Sequence, residues 1–197
     1  MPTKEDCIVI VGTRAITPYG RSVTKQLAAY LSVAGLTIVS ATDPGIDTAA
    51  RKATLEAGGR TIVAVLGCGV DRVHPAENKQ LMQDIIQKGT IISKFPLGTK
   101  PVGGNFPERN RIISGLSHGT IIFEVGYRSG AILTKFNALD QNREVFAVPG
   151  RIADERSKGT NRLIRNGAVL VGRTEHVLRA IEPQLTKRIK PRQLSGK

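Results

Sequence analysis

Seven short apolar runs recur along the chain, and none of them places a polar residue at every second position. They read CIVIVG (7–12), TIVS (37–40), TIVAVLG (61–67), TIIS (90–93), GTIIFE (119–124), EVFAVPG (144–150) and AVLVG (168–172). A strand with one face in water alternates apolar and polar side chains, whereas a run without that alternation suits a strand covered on both faces. Helical segments separate the runs. The sequence therefore predicts a doubly wound α/β domain, a mostly parallel sheet with helices on both faces. Helices are expected over 17–35, from about Pro44 to Ala57, near 76–88, over 106–117, near 130–140 and near 159–166. Thr17 is placed as an N-cap, with Pro18 in the first helical position and Gly35 just past the end. Asp43 is placed as the cap of the second helix, which Gly58 and Gly59 end. In such sheets ligands lie beyond the carboxyl ends of the strands, where the strand order switches, so the strand-to-helix turns are the places to search.

Charge supplies the first hint of what binds there. The 197 residues carry 29 Lys and Arg against 16 Asp and Glu, a net charge of +13. Residues 1–150 hold a net +5 and residues 151–197 a net +8. Such a field draws polyanions, although a basic surface also serves solubility alone. Residues 184–197 have five basic groups and no acid, and are expected to form a basic flexible tail after a single domain over 1–183. No apolar run approaches the roughly 18 residues that span a bilayer, so no membrane partner is expected. MPTKEDC at the start lacks the apolar core of a signal peptide, and Cys7 and Cys68 sit inside strand-like runs. The expected compartment is the reducing cytoplasm. His74, His118 and His176 are isolated, no Walker sequence occurs, and LGCGVDRVHP (66–75) has Arg72 where a dinucleotide fingerprint needs glycine. Neither a metal nor a cofactor is predicted.

Several turns are suited to an anion. VGTRAITPYG (11–20) puts Gly12 at a strand end just before a helix, where backbone amides and the helix dipole favour phosphate, with Thr13, Arg14 and Thr17 as further donors. EVGYRSGAILT (124–134) offers Ser129 and Gly130 at a second helix start. Glu124 is a lone acid at a strand end: it orients Arg14 or an amide pair, or acts as a catalytic carboxylate, with the structural role favoured because no second carboxylate is near in sequence. Asp71 either caps its turn or faces a ligand. FPERNRIISGLS (106–117) carries a charged fork ahead of residues fit for a core. As a helix it sets Phe106, Arg109, Asn110 and Ile113 on one face and turns Arg111 away. A ring, a guanidinium and an amide at a helix start suit stacking and phosphate contact on a single strand; equally, the arginine bonds loop carbonyls while Phe106 packs inward.

VGTRAITPYG, GIDTAA, AVLGCGVDRVHP, FPERNRIISGLS, RSGAILT, REVFAVPG and SKGTNRLIRNGA, in that order, resemble the DprA/Smf family of bacterial DNA-processing proteins over roughly residues 7–172. The resemblance implies an extended Rossmann-like domain, single-stranded DNA binding, homodimerisation, and loading of RecA recombinase onto incoming DNA in natural transformation. By motif it carries DNA contact to Gly12, Thr13, Arg14, Thr17 and Ser40, to Phe106, Arg109, Asn110 and Arg111, and to Ser129, Gly130, Thr134 and Lys135. The chain departs from the family at the second turn, where Ser-Gly-x-Ala-x-Gly-Ile-Asp is usual and SATDPGID (40–47) stands. Ala41 then brings a Cβ that opposes close backbone approach to Ser40. Arg51 replaces a usual histidine, Lys94 a usual glutamate, and Lys135 a small residue. The accessory helical and winged-helix domains of many relatives are not expected. The alternative class is enzymatic: the LOG phosphoribohydrolases, similar in fold, cleave nucleoside monophosphates with a Pro-Gly-Gly-x-Gly-Thr-x-x-Glu turn. GYRSGAILTK lacks those glycines and sets Lys135 where the acid belongs. A nucleotide-sensing relative is a third reading.

Overall fold

The computed structural model describes residues 7–58, 62–126 and 130–185. Each of the seven apolar runs contributes a strand: β1 (Cys7–Gly12), β2 (Thr37–Ser40), β3 (Ile62–Leu66), β4 (Thr90–Ser93), β5 (Gly119–Phe123), β6 (Glu144–Ala147) and β7 (Val169–Leu170). They form one sheet in the order β4-β3-β2-β1-β5-β6-β7, with every pair parallel. The helices are α1 (Pro18–Val33), α2 (Ile46–Glu56), α3 (Lys79–Lys88), α4 (Asn105–Gly115), α5 (Ala131–Asp140), α6 (Lys158–Arg165) and α7 (Thr174–Ile181).

The missing alternation in the strands has its cause in two apolar layers. Ile8 and Ile10 of β1 join Leu27, Leu31, Ile46 and Phe123 on one side of the sheet. Val9 and Val11 join Ile113, Ile122 and Leu163 on the other. Each fully buried side chain of this size contributes roughly 1.5–3 kcal/mol, so central strands apolar on both faces anchor the domain. From β1 the chain steps outward through β2 and β3 to β4, and α4 then carries it back to β5 on the opposite flank of β1. The turns after β1 and β5 therefore diverge and leave a crevice at the carboxyl end of the sheet.

Local chemistry sets the helix starts, with one correction. Thr17 caps α1 as expected, its side chain accepting from the Gly20 amide, and Gly35 beyond the helix has φ 106. Asp43 does not cap α2. That helix begins at Ile46, after Gly45 with φ 83. A Cβ on Gly45 would lie 2.2 Å from the Thr13 carbonyl oxygen, and the Ile46 amide donates to that same oxygen at 3.1 Å. Glycine thus lets the turn after β2 press against the turn after β1, and Asp43 is released for another task.

Two features at the end of the chain differ from expectation. α7 was not signalled: it is eight residues long, Arg173 gives it no side-chain cap, and it is held by burial of Val177 and Ile181. Gln184, expected in the tail, belongs to the folded part. It lies in a 3-10 turn, and its Oε1 is 3.2 Å from Nδ1 of His118. Residues 186–197, most of the expected arm, and Gly59, one of the expected helix-ending glycines, lie outside the described residues.

Gly45→Ala is expected to cost about 2–4 kcal/mol, from a backbone conformation that L residues rarely adopt and from the clash with the first turn. Urea unfolding should show a lowered midpoint at unchanged slope.

Candidate functional site

The crevice at the switch point is a cleft of about 500 Å³. The turn after β1 lines it with Gly12, Thr13 and Arg14, α4 with Phe106 and Asn110, and the start of α5 with Gly130 and Thr134. Gly12 is required by proximity, since a Cβ there would lie 2.3 Å from the Phe123 carbonyl oxygen and 2.6 Å from Ile46. Three segments remote in sequence thus converge, and Arg14, with 64% of its side chain exposed, is the cation most open to an incoming anion.

Asp43 sits at the centre of the charges. One carboxylate oxygen accepts from Arg14 at 3.0 Å and the other from Arg109 at 3.2 Å. Behind it, buried Asp47 accepts from the Ser40 hydroxyl at 3.1 Å and from the Ala41 amide at 3.0 Å. Arg51, fully buried on α2, donates to the Thr48 hydroxyl at 3.0 Å and the Asp43 carbonyl at 3.4 Å. Its Nε and Nη1 have no hydrogen-bond partner among the described residues. Burial makes this guanidinium less basic than usual, at about 10, while Asp47 and Asp43 oppose that loss. Desolvation, then the neighbouring Asp43, pushes the Asp47 carboxyl up to about 7, against the pull of Arg51 and Arg109. Two guanidiniums, Arg14 and Arg109, and two carboxyl groups, Asp43 and Asp47, line the cleft, with the buried Arg51 behind them.

The structure sorts the residues that the sequence assigned to DNA contact. Gly12, Thr13, Arg14, Phe106, Asn110 and Gly130 line the cleft together, with Thr134 at its wall but buried. Arg109 lines it too but is 1% exposed. Its guanidinium donates to the Val65 carbonyl at 3.0 Å, to Asn110 Oδ1 at 3.2 Å and to Asp43. It is a buried strut rather than a surface clamp, which corrects that assignment. Ser40 is corrected as well: it is fully buried and its hydroxyl serves Ala41 and Asp47. The amide and hydroxyl of Thr17 both donate to Glu124, the amide at 2.9 Å, so Thr17 closes the start of α1 instead of facing the cleft. Arg111 is exposed and absent from the cleft lining. Lys135 is on another face of α5, its ammonium 4.9 Å from the Phe136 ring centre. Ser129 lies outside the described residues.

The open alternatives now have geometry. Glu124 is 6% exposed and holds an amide–hydroxyl pair, the structural role. Asp71 ties its turn to the loop after β4, accepting from the Gly98 amide at 2.9 Å. Lys94 pairs with Glu108. Phe106 neither lies free nor is sealed inside: its ring is half-buried, 5.9 Å from His74 and 5.4 Å from the Arg109 guanidinium, and reaches the cleft. What sequence reasoning missed is Asp43 as the ionic hub; its place just ahead of Pro44-Gly45 read as a cap. Among the described residues no group of three or more His, Cys, Asp or Glu is placed to hold a metal ion. None of their helices is long and apolar enough to cross a membrane.

The raised Asp47 carboxyl has a signed consequence. Below about pH 4 it is protonated in both folded and unfolded chains, and its contribution to stability is complete. Between about pH 4 and 7 the unfolded chain ionises first, so stability falls as pH rises. Asp47→Asn should remove that slope, and its stability relative to the unsubstituted protein should rise by roughly 2–4 kcal/mol across the interval, as read by urea unfolding at each pH.

Comparison with known proteins agrees with this architecture. The family described as DNA recombination-mediator protein A matches residues 1–182. Protein Smf of Escherichia coli strain K12 is 42% identical over 176 residues, which is 89% of this chain and 47% of that protein. The DNA processing protein DprA of Bacillus subtilis is 41% identical over 170 residues, 86% of this chain and 57% of its own length. This chain therefore spans about half the length of these curated relatives. Among solved structures, DprA from Streptococcus pneumoniae superposes with a TM-score of 0.83 at 40% identity, covering 89% of this chain and 62% of that one. DprA from Helicobacter pylori, whose structure is described for its single-stranded DNA binding mode, also has a TM-score of 0.83, at 28% identity and 92% and 82% coverage. A molybdenum cofactor carrier protein from Chlamydomonas reinhardtii, 17% identical with a TM-score of 0.62 over 91% of this chain and 97% of its own, shares the fold alone. With a parallel sheet, a switch-point cleft and this similarity over most of its length, the chain belongs to the family of DNA recombination-mediator protein A.

Proposed function

We propose that the cleft grips the sugar–phosphate backbone of single-stranded DNA, and that the chain is a binding module of recombination rather than an enzyme. The observation that carries this reading is convergence. The amides of the first turn, the exposed Arg14, the half-buried Phe106 ring, the Asn110 amide and the start of α5 all line one cleft. Amides and a guanidinium hold phosphates without reading base edges, and an aromatic ring stacks on any base, so the contact is sequence-tolerant. Relatives from Bacillus subtilis, Streptococcus pneumoniae and Helicobacter pylori carry the name DNA processing protein, and the last is described for its single-stranded DNA binding mode. In this reading the chain works in the cytoplasm as a homodimer and delivers the coated strand to a RecA recombinase.

Titration of labelled oligo-dT tests the binding. About three to four neutralised phosphates give a slope of log affinity against log salt between about −2 and −3. Arg14→Ala should weaken all sequences alike, by about 5- to 10-fold, and make the slope shallower by about 0.7. A salt-independent affinity, or a variant whose loss depends on base sequence, would contradict backbone binding. Release of free base from a nucleoside monophosphate would move the chain to the enzymatic class.

A further inference from the structure

The cleft offers phosphate a guanidinium that is already engaged by an acid. Arg14 Nη2 lies 3.0 Å from Asp43 Oδ1, and Arg109 Nη2 lies 3.2 Å from Asp43 Oδ2. The Asp43 side chain is 21% exposed and lines the cleft beside the Gly12–Arg14 turn. A phosphate taken up by Arg14 therefore comes to rest next to a carboxylate. The charged groups around Asp43 are Arg14 from the first turn, Arg109 from α4, and Arg51 and Asp47 from α2. Both the attraction of the guanidiniums and the repulsion of Asp43 scale with the charge of the guest. The attraction is already partly satisfied, since Asp43 occupies two of the three guanidiniums.

An internal phosphodiester carries a single negative charge. A terminal phosphomonoester, as in a free nucleotide, gains a second charge above its second pKa of about 6. Resting on the reading of the cleft as a strand-backbone site, we propose that Asp43 is a specificity-determining residue that selects internal phosphodiesters and rejects dianionic phosphomonoesters. It keeps free nucleotides from occupying a site meant for a continuous strand. The carboxylate does this by standing on the arginines: a monoanionic bridge shares Arg14 with it, whereas a dianion must either displace it or sit against its charge.

The test uses the full chain and two probes, oligo-dT of about 6 nucleotides without terminal phosphate and thymidine 5′-monophosphate. Asp43→Asn removes the charge and leaves an amide oxygen for Arg109 to donate to. At about pH 7.5 the variant should bind the monophosphate about 10-fold tighter and the oligonucleotide no more than about 3-fold tighter. Asp43→Glu, which restores the charge, should return the discrimination. In the unsubstituted protein, affinity for the monophosphate relative to the oligonucleotide should fall between about pH 5.5 and 7.5 as the monoester takes its second charge. Asp47 titrates in the same interval, so the series is repeated in Asp47→Asn, where the fall in the ratio should persist. Equal gains for the two probes in Asp43→Asn, or a ratio independent of pH, would overturn the assignment of Asp43 while leaving strand binding intact. Failure of the unsubstituted protein to bind the oligonucleotide would sink strand binding and this inference together. If Asp43→Asn unfolds, the pH series still decides.

Discussion

A buried guanidinium with no counter-charge is among the least tolerable things a folded chain can contain, and α4 buries one. Arg109 is 1% exposed, beneath the Phe106 ring, with one donor on the Val65 carbonyl at the end of β3. Leaving such a cation unpaired costs several kcal/mol, on the order of 3–5. Asp43 supplies the missing charge and, through its other oxygen, fixes Arg14 of the first turn. One carboxylate therefore ties the return helix of the switch point to the turn after β1. The shape of the cleft follows from that tie: Phe106 and Asn110 are aimed inward because Arg109 between them is anchored.

The same constraint explains why a segment that packs begins with charge. In FPERNRIISG the helical turn sends Ile113 into the apolar layer beneath α4, and Arg111 outward to water. Arg109 belongs to neither group. It is a packing residue that happens to be charged, and its methylene stem and planar head fill space that an aliphatic side chain would leave without hydrogen bonds to the sheet edge. Burial, and then the nearby Asp43, drives the Asp47 carboxyl toward its neutral form, against the pull of Arg51 and Arg109.

Much of the fold was legible because it rests on burial that sequence expresses directly. Each of the seven apolar runs holds a strand, since strands covered on both faces cannot hide that fact in their composition. The caps of α1 were legible for the same local reason. α7 was not: it is short, has no cap, and is held by a tertiary contact of Val177 that no local pattern announces. In the site, the residue types were readable and their exposure was not. Arg14 and Arg109 have the same chemistry in the sequence, yet one is open to solvent and the other sealed. Ser40 looked like a donor to a ligand, but a carboxylate seven residues away in the chain takes its hydroxyl. The displacement of the α2 start from Asp43 to Gly45 decided the role of the acid, and that displacement depends on a contact with Thr13 across the sheet.

The excess charge of the chain and the charge of its cleft act at different ranges. A net +13 over 197 residues sets a long-range field that gathers polyanions and weakens as salt shortens the Debye length. Inside the cleft both lining arginines are paired with Asp43, so the partners left for a guest are amides, a ring and the exposed Arg14. A site built this way gains little from adding more positive charge and much from holding its geometry. The carboxylate in the middle of a basic protein gives up some attraction and ties the return helix to the first turn.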